Sequence, residues 1–311
     1  MIIHVGYPKC ASTTLQYLFS RANINFLGCN PKEIPTKFYN RNIGSFFEST
    51  FRFGTNHDFE EKGKEVRKFL LKSNILNNTN TVLSFENICF RLTPWDIPTD
   101  IKISRLGKII PDGSNILISF RKVKDFIISL FKNHVSFGYT EDINFFIKEL
   151  ITLKDFGWLL DLNIKLLVKM LNEFTNCNKI ILYNINGNFS FENLFEILNL
   201  EYNNIATPSS NKSVSFAHNE IARHFNKTQR NTKSLLNWLE VHRVFPNCSL
   251  PEEYIFKISR DRKKQVDFIS KMESTSYINE SIEWPDLVKS IQTANDNFIK
   301  STNNSNIIVL N

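Results

Sequence analysis

The feature that most constrains this chain is the recurrence of short, nearly continuous apolar runs at Ile2–Val5, Thr81–Phe85, Asn115–Phe120 and Lys179–Tyr183. A strand with one wet face alternates apolar and polar residues, whereas a strand covered on both faces reads as an unbroken apolar run, the habit of parallel sheets. The segments between the runs change period. Leu15, Leu18, Phe19 and Ala22 fall at i, i+3, i+4 and i+7 after the first, and Val123, Ile127, Leu130 and Phe131 at i, i+4, i+7 and i+8 after the third, which places each set on one helical face. Strands alternating with helices predict an α/β fold with a central parallel sheet. Counting a weaker strand near Ile24–Leu27, the sheet has about five strands.

Two regions break the rhythm. Residues 30–58 hold two prolines and three phenylalanines within Phe47–Phe53 and read as an irregular insertion with one short helix, of the kind that shapes substrate pockets. From about Phe216 the pattern is helical, over 216–230, 232–243, 251–272 and 282–300, with no further strand expected. The length of 311 residues, with no Gly/Ser linker, suits a single domain over 1–311, made of an α/β core at 1–200 and a helical extension at 201–311 packed on it. A hydrophobic fraction of 42% excludes a disordered or collagen-like chain. The five cysteines are widely spaced without a C-x-x-C pair, so neither a zinc site nor a disulfide framework is expected and a reducing compartment is the default. Neither a signal peptide nor a membrane-spanning run is seen, which predicts a cytoplasmic chain with no integral membrane segment. The net charge of +7 fits an anionic ligand or a solvated basic surface equally well.

Chemistry concentrates first at Gly6-Tyr7-Pro8-Lys9-Cys10-Ala11-Ser12-Thr13-Thr14, between the first strand and its helix. The first N–H groups of a helix lack partners and the dipole is positive there, so the junction suits an anion. Lys9 adds a charge, and Ser12, Thr13 and Thr14 add hydroxyls. The plainer reading makes Ser12 or Thr13 a helix cap and Lys9 a surface residue. The Walker A pattern fails, because no glycine precedes Lys9 and the hydroxyls come three to five residues after it. Further along, the strand at Asn115–Phe120 ends in Arg121, with Ser129 eight residues on, and the strand at Thr81–Phe85 delivers Glu86 at its C-terminal end. In open α/β sheets ligands sit at that edge. Glu86 reads equally as a cap of the following turn.

Tyr7-Pro8-Lys9-Cys10-Ala11-Ser12-Thr13 resembles the 5′-phosphosulfate loop of sulfotransferases, Y-P-K-[ST]-G-[ST]-[ST], with Cys10 where a hydroxyl residue is common and Ala11 where glycine is common. Ala11 is read as showing that the backbone there needs no glycine-only conformation. Arg121 to Ser129 is similar to the family's R-x-P-x-x-x-x-x-S segment, with Val123 in place of the proline, a change that bears on how the helix starts more than on binding. The resemblance implies a P-loop-like nucleotide-binding fold and transfer of a sulfuryl group from 3′-phosphoadenylyl sulfate (PAPS), without a metal, to a hydroxyl or amine of an acceptor such as a saccharide or glycolipid. It implies that Lys9 stabilises the leaving phosphate, that Lys9, Cys10, Ala11, Ser12, Thr13 and Thr14 hold the 5′-phosphate, that Arg121 and Ser129 hold the 3′-phosphate, and that Glu86 is the base. His134 is a lesser candidate base, and His4 reads as a core residue. Asn211, Lys212 and Ser213 form a candidate lid or a helix-capping loop, and the run from Lys257 to Lys264 a substrate-gathering or merely solvated face. An ATP-dependent kinase or NTPase is the runner-up, and a catalytically inactive saccharide-binding module the third reading. No nucleic-acid partner is expected, and the oligomeric state stays open.

Overall fold

The computed structural model describes residues 1–28, 41–76, 80–91, 96–136, 139, 141–152, 159–188, 190–202, 223, 282–302 and 305–311. The candidate lid residues Asn211, Lys212 and Ser213, the basic run from Lys257 to Lys264 and the helices expected over 232–243 and 251–272 lie outside them, as does all but Arg223 of the helix expected over 216–230. Elements are numbered through the described residues.

Six strands form one all-parallel sheet in the order β2-β3-β1-β4-β5-β6. They are β1 (Ile2–His4), β2 (Asn25–Gly28), β3 (Thr81–Ser84), β4 (Asn115–Phe120), β5 (Lys179–Asn184) and β6 (Ile307–Leu310). The flanking helices are α1 (Ser12–Arg21), α2 (Arg41–Ser45), α3 (Phe51–Phe53), α4 (Asn56–Leu76), α5 (Thr99–Ile109), α6 (Val123–Ser136), α7 (Ile143–Thr152), α8 (Ile164–Phe174), α9 (Phe191–Ile197) and α10 (Asp286–Ser301). Successive strand residues point to opposite faces, so each strand feeds two cores. Ile3, Leu83, Ile116, Ile118, Ile180 and Leu182 pack with α4 to α8 and α10, while Ile2, Val82, Leu117, Ile181 and Leu310 pack with α1 and α9. Helices on both faces are why these strands carry no polar alternation.

Three expectations from the sequence need correction. The sheet has a sixth strand: β6, in a stretch read as helical, pairs in parallel with β5 from Ile180↔Ile307 to Tyr183↔Leu310. Its four residues, Ile307 to Leu310, are too few to show a period, and only the exposed β5 edge makes them a strand. The C-terminal residues thus complete the core sheet rather than only adding helices to it. Within the described part of the insertion, residues 41–53 are helical throughout: α2 runs into a π-helical turn, Phe46–Thr50, and then into α3. Phe46, Phe47 and Phe51 pack there against one another and Phe59, and Phe47 stacks on Phe85 at 4.3 Å. A π turn rotates the side chains off the 3.6 period, which hid the helix from the pattern. Among the described residues no helix is long and apolar enough to cross a membrane.

Strand order fixes where a site can lie. The chain leaves β1 through α1 toward β2 on one side and leaves β4 through α6 toward β5 on the other. The loops after β1 and β4 therefore diverge and leave a crevice at the C-terminal ends of the strands. Leu310 is 2% exposed and is the buried residue of β6, whose other three are half-buried. Leu310→Ala should cost about 2–4 kcal/mol of unfolding free energy by urea denaturation; a loss below about 0.5 kcal/mol would show that β6 is not part of the cooperative core.

Candidate functional site

The loop after β1 begins as a continuation of the sheet. Val5 N–H donates to Leu117 O at 2.9 Å and Tyr7 N–H to Ser119 O at 3.0 Å, while Phe85 N–H donates to His4 O at 3.1 Å. Beneath it, β1, β3 and β4 bring His4, Ser84 and Ser119 side by side on the α1 face. His4 Nδ1 lies 2.7 Å from Ser84 Oγ and its Nε2 3.1 Å from Ser119 Oγ, and Gln16 Nε2 of α1 donates to Ser84 Oγ at 3.3 Å. Burial drives the His4 pKa down to about 3, so the ring is neutral and holds strands together, in keeping with a core residue. Gly6 lies directly over this cluster: a Cβ there would collide with Ser119 Oγ and crowd His4 Nε2. Only glycine lets the backbone pass so close.

Past Pro8 the backbone turns left-handed twice, at Lys9 (φ 63°) and Ala11 (φ 56°, ψ 19°), with Cys10 between them. The expectation for Ala11 is thereby overturned, since it adopts a conformation that favours glycine and carries the strain of its Cβ. Such strain concentrates at functional sites. The first helical bond of α1 is Leu15 N–H to Ala11 O at 2.9 Å, so the N–H groups of Ser12, Thr13 and Thr14 precede the helical ladder. Tyr7 O closes the loop by accepting from Cys10 N–H at 3.3 Å and from Ser12 Oγ at 3.2 Å. Ser12 is buried, Thr13 exposed and Thr14 half-buried. The Cys10 thiol is fully buried, and burial pushes its pKa up, opposed by Arg121, so it is an inert packing group.

Strand order brings the other candidates to this loop. Arg121, directly after β4, donates from Nη1 to Lys9 O at 3.2 Å. Its Nε is buried and bonds to nothing among the described residues. Ser129 is half-buried on α6, and one turn further Lys132 comes under the charge of Arg121: burial lowers the Lys132 pKa first and Arg121 lowers it further. Lys132 was not singled out from the sequence, although its i+3 spacing from Ser129 was readable there. On the other flank Glu86 follows β3 at the start of a 3₁₀ turn, Glu86–Ile88. Burial raises its pKa to about 7, with Lys9 opposing the shift and Glu48 adding to it. Lys9 is exposed at the rim. Its pKa is lowered by desolvation and held up by Glu86, though among the described residues the two form no ion pair. Glu48 comes from the π turn, and no sequence pattern foretold it. His134 lies elsewhere: 4% exposed, it has Nδ1 2.9 Å from Leu130 O and its ring 5.2 Å from that of Phe146, within the α6–α7 packing.

A buried ionic scaffold, also unforeseen, supports the loops. Arg52 grips Asp96 with two hydrogen bonds of 3.1 and 2.8 Å, and Lys102, fully buried, donates to Phe90 O at 2.7 Å beside Asp96 at 3.7 Å. Asp161 Oδ2 accepts from Arg91 N–H and Nε, and Tyr7 Oη donates to Asp161 O at 2.6 Å. The segment after β3 and the loop after β1 are thus pinned to the same framework. Its charges are distant in sequence, so spacing could not have found it.

No family model matches the chain, and comparisons with curated proteins and with solved structures likewise return no match.

Two measurements check this geometry. Ala11→Gly should raise stability by about 1 kcal/mol in chemical denaturation through relief of the left-handed strain; a loss of stability would contradict the backbone described. Glu86 keeps its proton to about pH 7 in the folded chain and loses it near its ordinary pKa of 4.5 when unfolded. The folded state then binds more protons between those values, so the Glu86 contribution to stability falls as pH rises through that window. Glu86→Gln should remove this fall and be more stable than the parent by about 1–3 kcal/mol at about pH 8. Parallel pH–stability curves for the two proteins would refute the buried setting of Glu86.

Proposed function

We propose that this chain is a sulfotransferase on a P-loop-like core, moving a sulfuryl group from PAPS to a hydroxyl or amine of an acceptor. The observation that carries the reading is the Arg121 Nη1 to Lys9 O contact, which joins the cationic end of β4 to the left-handed loop before α1. Two anion sites then lie side by side, as a nucleotide with a phosphate at each end of its ribose requires. One is made of loop and helix N–H groups with Lys9, and the other of Arg121 and Ser129, with Lys132 adjacent.

In this reading Ser12, Thr13, Thr14 and the amides around them hold the 5′-phosphate, and the fit rests on the N–H groups that precede the helical ladder of α1. Cys10 contributes packing, because its thiol is buried. Arg121 offers its guanidinium charge to the 3′-phosphate, with Ser129 supplying a hydroxyl from the helix that follows. Glu86 takes the proton from the acceptor as its oxygen or nitrogen bonds to sulfur. The bond from sulfur to the bridging oxygen breaks, and that electron pair goes to the 5′-phosphate. Lys9 balances the charge that grows on the bridging oxygen. A base with a pKa near 7 is well matched to neutral pH. Glu48 sets a second negative charge near the base, which favours a neutral or cationic acceptor group over an anionic one at that point. A saccharide or glycolipid hydroxyl fits this requirement.

Thermal-shift titration tests the donor. Stabilisation by adenosine 3′,5′-bisphosphate and not by ATP with Mg²⁺ is expected; a preference for ATP would point to a kinase or NTPase, and no response to either to an inactive module. With turnover measured on labelled PAPS, Lys9→Ala should lower kcat by about 10²–10³-fold while the affinity for the bisphosphate changes little. Unchanged turnover would remove Lys9 from the chemistry.

A further inference from the structure

Val123 is the first residue of α6, and Phe126 N–H to Lys122 O, at 2.9 Å, is the first bond of that helix. The Val123 N–H therefore has no partner within its own helix. A proline at this position would carry no N–H and would be preset for the helix; valine leaves a buried donor that must be satisfied. The acceptor comes from 169 residues away: Gln292 Oε1, on α10, at 2.6 Å. The other end of that amide, Nε2, donates to Asp296 Oδ1 one turn on at 2.8 Å, which keeps Oε1 turned toward Val123. Three residues along the same face Asn295, 3% exposed, does the same for α8. Its Oδ1 accepts from the N–H of Ile164, the first residue of that helix, at 2.9 Å, and its Nδ2 donates to Leu162 O at 2.9 Å.

Two amides on α10 thus seat the first turns of α6 and α8. Gln292 and Asp296 also line a cavity of about 100 Å³ whose walls include Arg121 and Lys122, so the clamp and Arg121 border the same space. Arg121 is two residues before Val123, and Ser129 is on the helix that Val123 begins. We infer that Gln292 is a positioning residue, which through its bond to the Val123 N–H fixes the start of α6 so that Arg121 and Ser129 converge on one phosphate group. This rests on the assignment of Arg121 and Ser129 to the 3′-phosphate. It makes a residue near the C-terminal end of the sequence a determinant of selectivity for that phosphate.

The test compares the affinities of the full-length chain for adenosine 3′,5′-bisphosphate and adenosine 5′-monophosphate, which differ only in the 3′-phosphate. The parent should prefer the bisphosphate. Gln292→Ala should weaken bisphosphate binding about tenfold and leave monophosphate binding nearly unchanged. Val123→Pro in the Gln292→Ala background should restore the preference, because no N–H is left to satisfy. A role confined to fold stability would lower both affinities together. Should Gln292→Ala not fold, the double variant carries the test alone: preference kept supports the inference, and preference lost overturns it. A parent that prefers the bisphosphate, with Gln292→Ala preferring it equally, overturns the positioning role and leaves the function intact. Loss without rescue by proline overturns it as well. A parent that binds both nucleotides equally overturns the sulfotransferase reading and, with it, the role given to Gln292.

Discussion

The central position of β1 is the constraint on which the rest of the structure depends. A strand of three residues has few hydrogen bonds of its own, yet β1 is paired on both sides, by β3 and β4. Its pairing with β4 continues past the strand to Tyr7. That extension makes the loop at Lys9 an outgrowth of the sheet rather than a free surface loop. Backbone held on this footing can keep two non-glycine residues left-handed, where an unsupported loop would relax.

The polar interior follows the same logic. His4, Ser84, Ser119 and Gln16 place hydrogen-bonding groups where three neighbouring strands end, in a core that is otherwise largely apolar. Such a cluster costs desolvation and contributes specificity of register, since a slip of one residue in β1 would turn His4 to the opposite face. It also fixes the close passage of Gly6 over Ser119. The ionic scaffold of Arg52, Asp96, Lys102, Arg91 and Asp161 does the corresponding work on the other side, tying α3, the segment after β3 and Tyr7 together. Buried pairs of this kind add little net stability, but removing one partner is costly because it strands the other charge.

The elements carrying the strongest local signal were legible in the sequence. The runs at Ile2, Thr81, Asn115 and Lys179 became β1, β3, β4 and β5, and the weaker run at Ile24 became β2, because burial on both faces imposes unbroken apolar character. Lys9, Glu86 and Arg121 could be picked out because each lies in the segment that leaves the C-terminal end of a strand, where ligands sit in open α/β sheets. What stayed hidden lacks a local signature. β6 is four residues beside an edge, the insertion helix departs from the ordinary period, and Glu48, Lys102, Asp161 and Gln292 matter only through partners distant in the chain. Ala11 was misread because alanine usually marks ordinary backbone, whereas here the ladder from β1 and the start of α1 leave only a left-handed bridge between them.

By itself, then, the sequence determined the class of fold and the identity of the charged groups at the strand ends, since hydrophobic periodicity and residue type are properties of short segments. The tertiary structure decided the order of the strands, and with it that Lys9 and Arg121 share a crevice with Glu86 on its other flank. It also decided how the N–H that valine brings to the start of α6 is satisfied. Those outcomes depend on which surfaces meet across more than a hundred residues of chain, and no local pattern encodes that meeting.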